Sequence, residues 1–372
     1  MFPTINRESS MLGFGCMRFP TTPDGKIDES EAIRMIRHAI DNGVRYIDTA
    51  YPYHGGDSEI VVGKALKDGY REKVILTTKL PVWLVKTHED MMKFLDEQLK
   101  KLDTPYVDFY ILHAMNNERM DAMQKLDYKR FYAEAIAQGK VRYPGFSFHD
   151  DAKAFLRILH DWDQWGMCQV QMNILDDENQ ATLEGIREAG RRGVGVVVME
   201  PLRGGLLANP PVDVKAVYDA YAVRRSPVEW GFRYLYAMPE VITILSGMST
   251  WAQVTDNLRI FDMAKRPTLT DEELALYQKV KATYLARTKT RCTGCKYCQP
   301  CPMGVQIPRI FQGYDAAMLR ADSSFKAGYA QIQADHADAS QCIHCRKCEH
   351  VCPQHLPITR FLEEIHAASA AE

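Results

Sequence analysis

VILTTKL at 74–80, THEDMMKFLDEQLKKL at 87–102 and VDFYILH at 107–113 follow one another directly. The outer two are apolar nearly throughout, as parallel strands covered on both faces are. The middle one is amphipathic at helical spacing. The alternation continues both ways. Upstream stand LGFGCMRF (12–19), ESEAIRMIRHAIDNG (29–43) and VRYIDTA (44–50). Downstream stand KVRYPGFSF (140–148), CQVQMNI (168–174), ENQATLEGIREAGRRG (178–193), VGVVVME (194–200) and VITILSG (241–247). Several helical stretches end in Gly, a stop signal. Eight strand–helix units predict the α/β class and a (β/α)₈ TIM barrel. A doubly wound sheet is the alternative, but no GxGxxG follows a strand, so its dinucleotide fingerprint is missing.

The 372 residues are 46% apolar and 25% charged, as in an ordinary globular protein. The net charge of -2 offers no basic surplus for nucleic acid. Purely apolar runs are short, as in Val196–Met199, whereas a spanning helix needs ~20 such residues. MFPTINRESSMLGFG lacks a signal-peptide pattern. A cytoplasmic protein without membrane insertion is expected.

Of ten cysteines, Cys16 and Cys168 precede residue 291, and eight crowd between Cys292 and Cys352. Such crowding points to metal binding rather than a secreted disulfide framework. It proposes a barrel over 1–265 and a cysteine module over 291–372. The segment 266–290 reads as a connecting helix, with Thr270 and Glu273 forming a capping box ahead of Leu274, Leu276, Val280 and Leu285.

The first cluster is Cys292, Cys295, Cys298 and Cys301, followed by Pro302. The second is Cys342, Cys345, Cys348 and Cys352, followed by Pro353. The second has the C-x₂-C-x₂-C-x₃-C-P spacing of bacterial ferredoxins, in which the fourth Cys serves the other cluster. Two [4Fe–4S] centres follow, one on Cys292, Cys295, Cys298 and Cys352, the other on Cys342, Cys345, Cys348 and Cys301. The first run has x₂ before its last Cys, which leaves crossed or local ligation by Cys301 open. Zinc is the alternative, although a third Cys at x₂ is unneeded for a tetrahedron. The intervening FQGYDAAMLRADSSFKAGYAQIQAD (311–335) reads as helical, so the module resembles the α-helical ferredoxins of fumarate reductase type.

In a barrel, catalytic groups sit at the C-terminal strand ends. There this chain has Asp48, then Tyr53 in DTAYPY, Lys79 in TTKL and His113 in YILH. A phenol with a pKa of ~10 is a poor acid at neutral pH. A nearby ammonium lowers that pKa, a carboxylate keeps the ammonium charged, and a His can steer a carbonyl oxygen. Cys16 and Cys168 read as inert buried thiols.

These residues, in YIDTAYPYHGGDSE, TTKLP and YILHA, resemble the aldo-keto reductase family. Further resemblance runs through GFGCMRFP, GFSFH, QMNILD, MEPLRGG and SGMSTWAQVTDN, over residues 10–265. It implies a nicotinamide cofactor, NAD(P)(H), bound without a Rossmann domain. It implies Tyr53 as general acid, Lys79 and Asp48 tuning it, and His113 orienting a small-molecule carbonyl or alcohol. It also implies Ser147 and Gln171 at the carboxamide, and Ser246, Gly247, Ser249, Gln253 and Asn257 at the adenosine end. Two departures stand out. The usual Ser-Asn pair is Ser147-Phe148, and no cation follows Gly247, so NADP preference is not supported. Trp83, Met115, Tyr51 and Phe148 are expected as pocket walls, and His54 and His149 as pocket-lining or structural residues.

A nicotinamide passes two electrons as a hydride, and an iron–sulfur centre passes one at a time. The two halves together call for a converter, a flavin, on a flavoprotein or ferredoxin-linked partner. The alternatives are a flavin or cluster-driven chemistry inside the barrel, structural or oxygen-sensing clusters, and an electron-carrier or redox-sensor subunit with a silent barrel.

Overall fold

The eight strands are all present, parallel, and closed into one barrel in chain order. They are β1 Leu12–Gly15, β2 Tyr46–Asp48, β3 Ile75–Leu80, β4 Val107–Met115, β5 Val141–Phe148, β6 Met167–Gln171, β7 Gly195–Met199 and β8 Val241–Ser246. β8 pairs back onto β1. The structure is a computed structural model and describes residues 8–262, 266–292, 294, 296–352 and 354–370. The chain divides into two compact units, Met1–Gly204 with Val228–Leu269, and Gly205–Pro227 with Thr270–Glu372.

Strand alternation builds the barrel centre. Tyr46, Ile75, Phe109, Ile111, Met167, Val197 and Leu245 pack into one buried cluster. Successive strand residues face opposite sides, so positions two or four further on share the inner face. Asp48, Lys79, His113 and Gln169 therefore stand one layer nearer the C-terminal strand ends. Phe146 and Phe148 face outward, with ring centroids 5.9 and 5.2 Å from Phe155 on the helix Ala152–Asp161.

The helices start where the sequence places caps. Asp28 accepts the Glu31 N–H at 3.1 Å and opens the helix Glu29–Asp41, which buries Met35, Ile36 and Ile40. Thr87 and Asp90 form a capping box on His88–Leu102. The third expected helix, 178–193, is shorter, Thr182–Arg191. Its first residues are drawn into a polar turn, with Asp176 accepting from Gln171 and Asn173, and Gln180 donating to Gln171.

In the second unit the capping box of Thr270 and Glu273 closes with two 3.2 Å bonds at the start of Asp271–Arg287. The expected helical stretch 311–335 is two helices, Ile307–Arg320 and Ser324–Ala334. Ala321, in the left-handed region at φ 55°, ends the first. Val305, Ile310, Phe311, Tyr329, Leu362 and Ile365 form the core. Buried Asp315 accepts the N–H groups of Lys289, Thr290 and Arg291 and the Thr290 hydroxyl, which pins the chain just before Cys292. Among the described residues, no helix is long and apolar enough to cross a membrane.

Candidate functional site

Asp48, Tyr53, Lys79 and His113 converge at the C-terminal end of the barrel. Lys79 Nζ donates to Asp48 Oδ1 at 2.5 Å, to the Thr49 carbonyl at 2.8 Å and to the Tyr53 hydroxyl at 3.2 Å. Lys79 and Asp48 are almost wholly buried. Burial alone would neutralise the Lys79 ammonium, but Asp48 and the Tyr53 phenol more than offset it, and its pKa is raised. Burial also raises the Tyr53 phenol, and the Lys79 charge lowers it without reversing the direction. The expectation of a net lowering is thus corrected, because desolvation outweighs the ammonium here. At neutral pH Tyr53 carries its proton.

The turn that presents Tyr53 is held by its neighbour. His54 sits in the left-handed region at φ 50°, and Gly55 and Gly56 follow with positive φ. The His54 ring stacks on Phe19 at 5.5 Å, and its Nε2 accepts the Phe19 N–H at 3.1 Å. His54 is therefore structural.

A β-bulge follows His113 directly. The β4–β5 register shifts between Leu112 and Met115, and Ala114 adopts φ 55°. The Ala114 N–H, turned out of the ladder, donates to Ser147 Oγ at 2.7 Å. The His113 ring lies 6.1 Å from the Tyr53 ring, nearly perpendicular, and 5.1 Å from that of Trp83. Burial, then the charge of Lys79, lowers the His113 pKa from 6.5 to about 2. A folded-state pKa below the unfolded value means the unfolded chain binds more protons, so this contribution is present above ~6.5 and is lost as pH falls toward 2. In an NMR titration between pH 5 and 8, the His113 ring signals are expected to stay flat. An inflection near 6.5 would contradict a buried neutral imidazole.

The expected cofactor residues gather around the same end. Ser147 is buried and already accepts one backbone bond. Gln171 bonds to Asp176 at 3.0 Å and to Gln180 at 2.8 Å. Ser246 accepts from Asn257 at 2.9 Å, tying β8 to the helix Trp251–Phe261. Ser249 Oγ donates to the Arg18 carbonyl at 2.7 Å, and Gln253 spends its side-chain carbonyl on the N–H groups of Ser249 and Thr250. At Gly247 a Cβ would come within 3.3 Å of the Arg18 side chain. Buried polar atoms at His113 Nδ1, Gln169 Oε1 and Gln180 Oε1 have no hydrogen-bond partner among the described residues. A ligand presenting an amide and ring edges fits such a rim.

Three of the four expected pocket walls are turned away. Met115 and Phe148 are fully buried, Phe148 against the helix layer. Tyr51 packs on Phe94 with Lys101 over its ring. Only Trp83, 43% exposed, stands over His113. Sequence reasoning missed Gln169, a neighbour of the Asp48 carboxylate: burial raises Asp48, and Lys79 and then Gln169 oppose that rise without reversing it. Its signal was the period-two spacing to Gln171. Arg18 gave no local signal, since only barrel closure brings it to Gly247. Cys16 and Cys168 are fully buried, and burial raises both thiols, Cys168 to about 12.

In the second unit, Cys298, Cys301, Cys342, Cys345 and Cys348 line one cavity of about 210 Å³. Cys292, Cys298 and Cys352 line a second of about 20 Å³. Cys298 borders both cavities, Cys301 only the one of the second run, and Cys352 only the one of Cys292. Burial, then the nearby Cys301 and Cys345, raises the Cys342 thiol after an opposing backbone bond. Cys295 lies outside the described residues.

Residues 11–282 match the aldo/keto reductase family, and residues 291–356 match the 4Fe-4S dicluster domain. A probable aldo-keto reductase 1 of Glycine max is 27% identical over 55% of this chain and 59% of its own length. The aldo-keto reductase YhdN of Bacillus subtilis is 40% identical over 28% of this chain and 34% of its own. The chain thus spans less than two thirds of these relatives. The solved aldo-keto reductase AKR11C1 of Bacillus halodurans superposes with a TM-score of 0.63 at 28% identity, covering 75% of this chain and 95% of that one. The closed eight-strand barrel and these matches make the chain a member of the aldo/keto reductase family with a 4Fe-4S dicluster match on its C-terminal side.

Proposed function

We propose that the barrel interconverts a carbonyl compound and its alcohol with a nicotinamide cofactor, Tyr53 giving and taking the proton. The observation that carries this is the buried chain Asp48–Lys79–Tyr53, at 2.5 and 3.2 Å, ending in a protonated phenol beside His113. A reduced nicotinamide, when bound, supplies the hydride. Tyr53 donates its proton to the carbonyl oxygen as charge builds there. Lys79, kept positive by Asp48, stabilises the phenolate left behind. Neutral His113 holds the carbonyl oxygen toward Tyr53 by an N–H bond. Gln169 steadies Asp48, and Ser147 and Gln171 hold the carboxamide. Arg18 places a cation beside Gly247 for a cofactor phosphate, and Ser246, Ser249, Gln253 and Asn257 shape the adenosine end.

The eight C-terminal cysteines would hold two [4Fe–4S] clusters, which when bound would supply one-electron transfer toward a redox partner that holds the converter. The crossed set is supported by Cys301 lining the cavity of Cys342, Cys345 and Cys348, and Cys352 that of Cys292. Cysteines around the cavity of about 210 Å³ suit a cluster better than a zinc ion, whose four ligands close to ~2.3 Å.

Mixing the intact chain with NADH or NADPH and an aromatic aldehyde tests the barrel reading. Oxidation of one nicotinamide per alcohol formed is expected with at least one cofactor. Alcohol formation that needs neither cofactor would overturn it.

A further inference from the structure

Beside the Tyr53–His113 pair lies a cation with no part in proton transfer. Arg119 is the third residue of the helix Asn117–Lys125, whose start is capped by Asn116 Oδ1 accepting the Arg119 N–H at 2.8 Å. Its side chain folds back toward the barrel mouth. Nη1 donates to the Ala114 carbonyl, one residue past His113, at 2.5 Å, and the guanidinium lies over the Trp83 ring at 5.3 Å from its centroid. The same Trp83 ring is 5.1 Å from that of His113. These contacts include a carbonyl and a ring but, among the described residues, no carboxylate.

The surroundings leave that charge uncompensated. Lys79 is deeper and neutralised by Asp48. Arg119 itself acts on both neighbouring imidazoles, lowering His113 and His149 further after burial has done so. Glu200, which faces His149, has Arg18 3.9 Å away. A guanidinium is weakly hydrated, always charged, and presents a donor fork that matches a carboxylate. One side-chain bond holds Arg119 to Ala114, and among the described residues the rest of its donor fork has no carboxylate partner.

We propose that Arg119 is the anion-binding end of the substrate site, and that the natural substrate is an oxo acid. This rests on the carbonyl-reductase reading. The carbonyl lies at Tyr53 and His113, the body of the molecule runs along Trp83, and the carboxylate pairs with Arg119. The carbonyl carbon gains the hydride and its oxygen the Tyr53 proton, while the carboxylate is unchanged. Trp83 and Arg119 act together, the ring fixing the guanidinium plane and covering the substrate.

The test compares 4-formylbenzoate with its methyl ester, which share a carbonyl and differ in charge. In the intact, cluster-loaded chain with nicotinamide bound, calorimetry should show 4-formylbenzoate binding that weakens about 10- to 100-fold in Arg119→Gln. KM for the acid should rise by the same factor, with kcat/KM for the ester within about twofold of the parent. Arg119→Lys should recover only part of the binding, since it keeps the charge and loses the fork. Equal losses on acid and ester would mean that Arg119 only props the Ala114 bulge, and would overturn the proposal. So would acid binding that ignores the substitution, or no acid binding at all. Arg119-dependent binding without turnover of either compound would leave the anion site standing and remove the carbonyl-reductase reading instead.

Discussion

Tyr53→Phe lowers kcat for carbonyl reduction by about 10³-fold, and leaves iron, sulfide and the visible absorbance of the clusters unchanged. A positioned acid contributes roughly 10²–10⁴-fold, and here no other group is placed to take over. Asp48 is spent on Lys79 at 2.5 Å. Lys79 is held by three acceptors. His113, pushed to about 2, has no ionisable proton near neutral pH. The substitution removes one oxygen and keeps the ring, so the packing against His113 at 6.1 Å and the Lys79 ammonium 4.8 Å from the ring centre persist. The fold and the cofactor affinity should therefore survive, and the loss should fall on kcat. Steady-state rates and a cofactor-binding titration on the same preparation check this. A variant within about tenfold of the parent would remove Tyr53 from the proton-donor role.

Replacing Cys301 or Cys352 by Ser each removes one cluster, and the two losses are independent. The parent, purified without oxygen, should carry about eight iron and eight sulfide per chain, and each single variant about four. The pairs then decide the wiring. Cys301→Ser combined with Cys342→Ser should lose no more than either alone, because both serve one cluster. Cys301→Ser combined with Cys352→Ser should lose nearly all iron. The expectation comes from the two cavities, with Cys301 beside Cys342, Cys345 and Cys348 in one and Cys352 beside Cys292 in the other. If Cys301→Ser instead pairs with Cys292→Ser, ligation is local. Zinc in place of iron and sulfide would discard electron transfer altogether.

The barrel was legible because its signals are local and repeated. Each strand is a short apolar run before a polar end, and Asp48, Lys79 and His113 stand at those ends. The strand boundaries moved by a few residues, as at β2, where pairing covers only Tyr46–Asp48. What stayed hidden depends on closure or on backbone shape. Phe148 was expected as a pocket wall, but the side it faces follows from a strand register that one apolar run does not reveal. The bulge at Ala114, just past His113, frees an N–H for Ser147, and no residue type announces it. Arg119 and Arg18 meet the site only after helix and strand are folded together. The cysteine spacing, by contrast, proposed two cluster sites directly, and left crossed or local ligation by Cys301 open.

The central claim is hydride transfer within the barrel, with the proton from Tyr53. The most direct measurement uses nicotinamide carrying deuterium at C4, each face in turn, with the intact chain and an aldehyde in ordinary water, the alcohol being read by mass spectrometry. One deuterium on the carbinol carbon, from one of the two labelled faces, is the result expected. Alcohol bearing only solvent hydrogen would show that electrons reach the substrate another way, through a flavin or the clusters, and would contradict the account.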